Sequence, residues 1–130
     1  MKFTVDRAKW RCGNHGDKKR GKGPTELLND GGYRCCLGFV SSQCGIADEH
    51  MVYVGEPCSL PVRIAKSLDD ILVRIAGDDD DETVFNSSLS RDAMDINDNA
   101  KIGQDERESR LTKLFAKHGH ELEFVGEFGS

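Results

Sequence analysis

The stretch TELLNDGGYRCCLGFVSSQCG, residues 25–45, constrains the fold more than any other part of the chain. A strand signal, a turn and a buried helix follow one another within it. Leu27 and Leu28 lead into Asn29, Asp30, Gly31 and Gly32, a composition that supplies positive φ angles without steric cost, and Tyr33 resumes an extended segment. This pattern predicts a β-hairpin. Cys35, Cys36, Leu37, Phe39, Val40 and Cys44 then recur at three- and four-residue spacing, which predicts a helix covered over most of its circumference.

The flanking segments extend the same reading. Residues 2–5 alternate and place Phe3 and Val5 on one side, a strand entering the core whose end Trp10 anchors. Residues 46–60 hold one short strand or none. Val62, Ile64, Leu68, Ile71, Leu72 and Ile75 follow helical spacing, with Pro61 suited to the first turn and Gly77 to the C-terminal cap, so a second helix is expected there. Ser87 or Ser88 caps a short third helix carrying Leu89, Ala93 and Ile96, broken by residues 97–99. A last helix over about 105–118 buries Leu111, Leu114 and Phe115, and residues 121–125 (ELEFV) alternate as a strand that pairs with residues 2–5. The expected fold class is α+β. One small domain spans residues 1–126, an antiparallel sheet of N-terminal strand, hairpin and C-terminal strand packed with about four helices. Residues 127–130 are read as a disordered tail or an expression remnant.

A chain of 130 residues suits one core. No apolar run approaches the roughly 18 residues needed to span a bilayer, and the N-terminal MKFTVDRAKW is unlike a signal peptide, so no membrane partner is expected. Five cysteines, two of them adjacent, do not form an ordinary disulfide framework; reduced thiols in a cytoplasm are expected. The net charge of -5 is uneven: residues 2–23 sum to +6 and the remainder to -11. Such a dipolar chain can present a basic face to phosphates and an acidic face to a basic partner.

Four segments carry a resemblance. Trp10-x-x-Gly13, then ELLNDGGYRCCLGF (26–39), DINDN (95–99) and ERESRLTKLFAKHGHELEFV (106–125) together resemble a family of small proteins encoded by tailed bacteriophages and prophages. The likeness covers most of the chain and is weakest in the basic loop and around residues 78–86. It implies expression in the cytoplasm of a bacterial host as an accessory protein rather than a virion component. By analogy with other small phage accessory proteins, it also implies binding and blocking a host enzyme or defence system.

Asp78, Asp79, Asp80, Asp81 and Glu82 repel one another and cannot be buried unpaired; they form a solvated loop or an acidic surface for the basic site of a host protein. A second reading is a nucleotide or phosphate ligand held by the glycine-rich basic loop. It would use Arg11, Lys18, Lys19, Arg20 and Lys22, with Trp10 or Tyr33 to stack a base. Asp95, Asn97, Asn99 and Glu106 match positions 1, 3, 5 and 12 of a calcium-binding loop, but Ala100 stands where the turn wants glycine, and a helix ending at an Asn/Asp turn explains the same letters. Cys12, His15, Cys35, Cys36 and Cys44 could approach a zinc ion, but they lack its usual knuckle spacing, and Cys36 and Cys44 fall on the buried stripe. His118 and His120 flank the glycine that stops the last helix and suit its final carbonyls better than a metal. No nucleophile elbow, P-loop or GxGxxG accompanies them; a non-catalytic protein without a cofactor is expected.

Overall fold

The computed structural model describes residues 1–13, 23–78 and 81–128. The chain is an α+β protein, as expected, but its strands are arranged differently. Strand β1 (Lys2–Asp6) pairs with β4 (Glu121–Val125), and the pairing is parallel: Phe3 lies opposite Leu122 and Val5 opposite Phe124. A separate antiparallel pair joins β2 (Val73–Ala76) to β3 (Thr83–Asn86). Pairing two ends of a chain fixes only that they meet; the direction is set by the path between them, and here helix α5 (Gln104–Lys117) reverses the chain just before β4. Phe3 and Val5 point inward, and Phe3 meets Phe115 of α5 edge to face at 6.3 Å.

The expected hairpin at residues 27–33 is a turn without a hairpin. Asn29 Oδ1 accepts from the Gly31 and Tyr33 amides, both at 3.0 Å, and Gly32 takes φ 87°, so the turn chemistry is as read. Its arms separate. Leu27 N–H donates to the Val54 carbonyl at 2.8 Å and Leu28 bridges Val52, whereas Arg34 pairs with the segment around Trp10. Consecutive Leu27 and Leu28 are both buried, which a strand with one solvated face cannot arrange.

Helix α1 (Cys36–Gln43) is the centre of the core, with Cys36 through Ser41 all buried, so apolar residues surround it as the spacing predicted. Gly38 lets the backbone at Leu27 come close: a Cβ there would collide with the Leu27 carbonyl. A short helix α2 (Asp48–Met51) and a 3-10 turn (Pro57–Ser59) occupy the region read as one strand or none. The expected second helix stops early. Only α3 (Val62–Ala65) and a 3-10 turn (Lys66–Leu68) form, Asp70 takes φ 65°, and Val73–Ala76 is strand β2. Aliphatics at 71, 72 and 75 fit a helix, but Val73 and Ile75 also alternate with Arg74. The β-branched pair goes to the sheet once β3 is there to receive it.

Helix α4 (Ser88–Asp98) begins as predicted, with Ser87 Oγ accepting from the Ser90 amide at 3.1 Å. It runs through Asn97 and Asp98 instead of breaking there. The reason is Asn97, whose buried amide joins three segments. Its Oδ1 accepts from Trp10 Nε1 at 2.8 Å and from the Cys36 N–H at 3.0 Å, and its Nδ2 donates to the Arg11 carbonyl at 3.1 Å. Its own carbonyl accepts from the Gly13 N–H at 2.7 Å. Two buried arginines finish the region. Arg11 donates to the carbonyls of Gly23, Cys12 and Gly13, and Arg107 of α5 donates to those of Ile96 and Asn99, which end α4, and to Gln104 Oε1.

Asn97→Ala leaves the Trp10 indole N–H, the Cys36 N–H and the Arg11 carbonyl buried without a partner. At roughly 1 kcal/mol or more for each orphaned group, the fold should lose about 3 kcal/mol in urea denaturation. Gly38→Ala should cost about 2 kcal/mol or more by overpacking α1 against Leu27. A Gly38→Ala protein with an unchanged urea midpoint would contradict the close approach.

Candidate partner-binding surface

The acidic run sits at the tip of the β2–β3 hairpin. Its arms, VRIA and TVFN, alternate with one inward and one outward set: Ile75 and Val84 face each other on the core side, Arg74 faces Phe85 and Ala76 faces Thr83 outward. At the base the hairpin is clamped to the body. Ser87 Oγ donates to the Ile71 carbonyl at 2.9 Å, Ser90 Oγ to the Leu72 carbonyl at 2.5 Å, and Asn86 Oδ1 accepts from the Cys58 N–H at 2.9 Å. At the tip Gly77 takes φ 117°, where a Cβ would collide with the Asp81 carbonyl, and the Asp81 N–H donates to the Asp78 carbonyl at 2.8 Å. Asp78 and Asp81 are exposed and Glu82 is half-buried, with no ion pair to any of the three among the described residues; Asp79 and Asp80 lie outside them.

Phe85 is 53 % exposed on the outward face, beside Arg74. An aromatic ring and an arginine side by side above a cluster of like charges are the side-chain types that dominate binding energy at protein interfaces, here with a steering charge attached. Neither residue stands out from composition. The signal was the alternation on both sides of DDDDE, which makes the acidic run a hairpin tip.

The other candidate residues are placed elsewhere or put to structural use. Trp10 is fully buried, its indole N–H on Asn97 and its ring 5.0 Å from Phe124, so it has no face for a base; this corrects the stacking role. Arg11 is likewise buried and its guanidinium is taken up by carbonyls. Tyr33 carries Lys9 Nζ 5.4 Å over its ring. Lys18, Lys19, Arg20 and Lys22 lie outside the described residues, as does His15. Three of the four calcium candidates have other partners: Asn97 Oδ1 accepts two hydrogen bonds, Asn99 Oδ1 accepts from the Lys101 N–H at 2.8 Å, and Glu106 pairs with Arg110 at 2.8 Å.

The thiols also have structural surroundings. Cys12, Cys35 and Cys36 are buried, and they do not gather with other metal-binding side chains among the described residues. Burial pushes the Cys35 thiol up to about 12, and burial with the neighbouring Cys35 and Asp98 charges raises Cys36 well above an ordinary thiol. Neither is a nucleophile near neutral pH.

In the native protein a thiol reagent at pH 8 should therefore modify only the half-exposed Cys44 and Cys58, with the other three reacting after denaturation. Mass spectrometry of the labelled peptides checks this, and native labelling of Cys35 would refute it. Compared with protein-family models, curated proteins and solved structures, the chain matches none.

Proposed function

We propose that this chain is a non-catalytic binding protein that docks its β2–β3 hairpin on a basic site of a partner protein. Following the phage resemblance, we further propose that the partner is a protein of the bacterial host, a defence component included, which the bound hairpin inhibits. The observation that carries this reading is the hairpin itself. Its base is clamped to the fold while its tip presents the exposed carboxylates of Asp78 and Asp81, without an ion pair among the described residues, and its outward face presents Phe85. The carboxylates steer a basic partner over a distance near a Debye length, and Phe85 supplies the apolar area that holds it.

A nucleotide-binding role has less support: of its set, Trp10 and Arg11 are buried in the core, Tyr33 is covered by Lys9, and Lys18, Lys19, Arg20 and Lys22 lie outside the described residues.

The test uses a host protein retained from bacterial lysate by the immobilised chain and then purified. Asp78→Asn, Asp81→Asn and Glu82→Gln together should slow association about tenfold at low salt, with the difference vanishing at high salt. Phe85→Ala should leave association unchanged and speed dissociation about thirtyfold, the size of a 2 kcal/mol interface contact. Unchanged rates in both variants would remove the hairpin from the interface.

A further inference from the structure

The parallel β1–β4 pair has two outer edges, and the molecule treats them differently. The Glu121 N–H donates to the Met1 carbonyl at 2.8 Å, and the register runs from Lys2 opposite Glu121 to Asp6 opposite Val125. Backbone groups alternate in direction along a parallel strand, so Glu121, Glu123 and Val125 turn their amides and carbonyls toward β1, while Leu122 and Phe124 turn theirs away.

By the same alternation Thr4 of β1 points outward, and Gln43 of α1 meets it. The Thr4 N–H donates to Gln43 Oε1 at 2.8 Å, and the Thr4 carbonyl accepts from Gln43 Nε2 at 2.6 Å. One side-chain amide makes both bonds that a neighbouring strand would make, so the β1 edge is closed at its middle. No group among the described residues bonds the outward amides and carbonyls of Leu122 and Phe124. After β4 the chain turns at Gly126 (φ 76°), whose carbonyl accepts at 3.0 Å from Nη1 of Arg7, the residue that follows β1, and Phe128 stacks 6.0 Å from Trp10.

The side chains of β4 decide what fits beside it. Leu122 is buried, while Glu121 and Glu123 are exposed on the opposite face. On the closed side Lys2 Nζ already lies 3.3 Å from Glu123. A second β4 laid antiparallel across the edge would set these glutamates against their own copies, and directly opposed like charges destabilise a strand pair. A strand with lysine or arginine at alternate positions would instead repeat the Lys2–Glu123 pairing on the open side.

We infer that the outer edge of β4 is a strand-addition site for an extended basic segment of a partner protein. This surface is separate from the β2–β3 hairpin and stands or falls independently of it, since the test reads different residues.

The probe is an acetylated and amidated hexapeptide of alternating Lys and Val, with alternating Glu and Val as control, and the readout is amide hydrogen exchange followed by NMR on the full chain. With the Lys–Val peptide at saturation, the Leu122 and Phe124 amides should exchange at least tenfold more slowly. The Thr4 amide, already bonded to Gln43, should not change, and the Glu–Val peptide should protect neither Leu122 nor Phe124. In the Glu121→Lys, Glu123→Lys double variant the preference should reverse. The inference is overturned if millimolar Lys–Val peptide leaves Leu122 and Phe124 unprotected, or if both peptides protect them equally. It is also overturned if the free chain already protects them as a dimer on sedimentation.

Discussion

The structure depends on one buried amide. Asn97 sits at the end of α4 and satisfies an indole, a helix-start N–H and a main-chain carbonyl from two other parts of the chain, while its own carbonyl takes the Gly13 amide. Each of those groups would be costly to bury alone, and none has a backbone partner in a regular ladder to replace it. The segments that meet at Asn97 are Trp10 to Gly13, the CCLGF run of α1 and the DINDN that ends α4. The most distinctive letters of the sequence are therefore explained by assembly of the fold.

The buried arginines follow the same logic. Arg11 and Arg107 direct their donors at carbonyls that end or flank elements, so each cation fills acceptors that the chain could not otherwise satisfy. Because Arg107 ties α5 to the end of α4, it also fixes where β4 emerges beside β1, and Phe3 against Phe115 seals that face. The two surfaces proposed for partners are peripheral: a charged hairpin clamped at its base, and a strand edge with no bond from the described residues beside another that Gln43 plugs.

Much of this architecture was legible before any coordinates. Helix α1 followed from cysteines and aliphatics at three- and four-residue spacing, α4 from its Ser87 cap, α5 from its Leu111 and Phe115 stripe, and the β1–β4 partnership from two alternating ends. The failures have a common cause. Leu27 and Leu28 were read as one arm of a hairpin, and residues 71–75 as helix, because short apolar runs fit both periods and only the neighbour that receives them decides. The β2–β3 hairpin was hidden in this way: its acidic tip was recognised as solvated, but its two short arms signal a strand pair only when considered together.

The sequence by itself determined the class of the protein, the positions of its main helices and its segregation of charge. These follow from local periodicity and composition, which act over a few residues. The tertiary structure alone decided the parallel sense of β1 and β4, the burial of Trp10 and Arg11, and the opening of one sheet edge rather than the other. Each of these depends on hydrogen-bond partners 39 to 120 residues apart in the chain, and a side chain's neighbours at that distance are fixed by packing and polar satisfaction, not by the letters beside it.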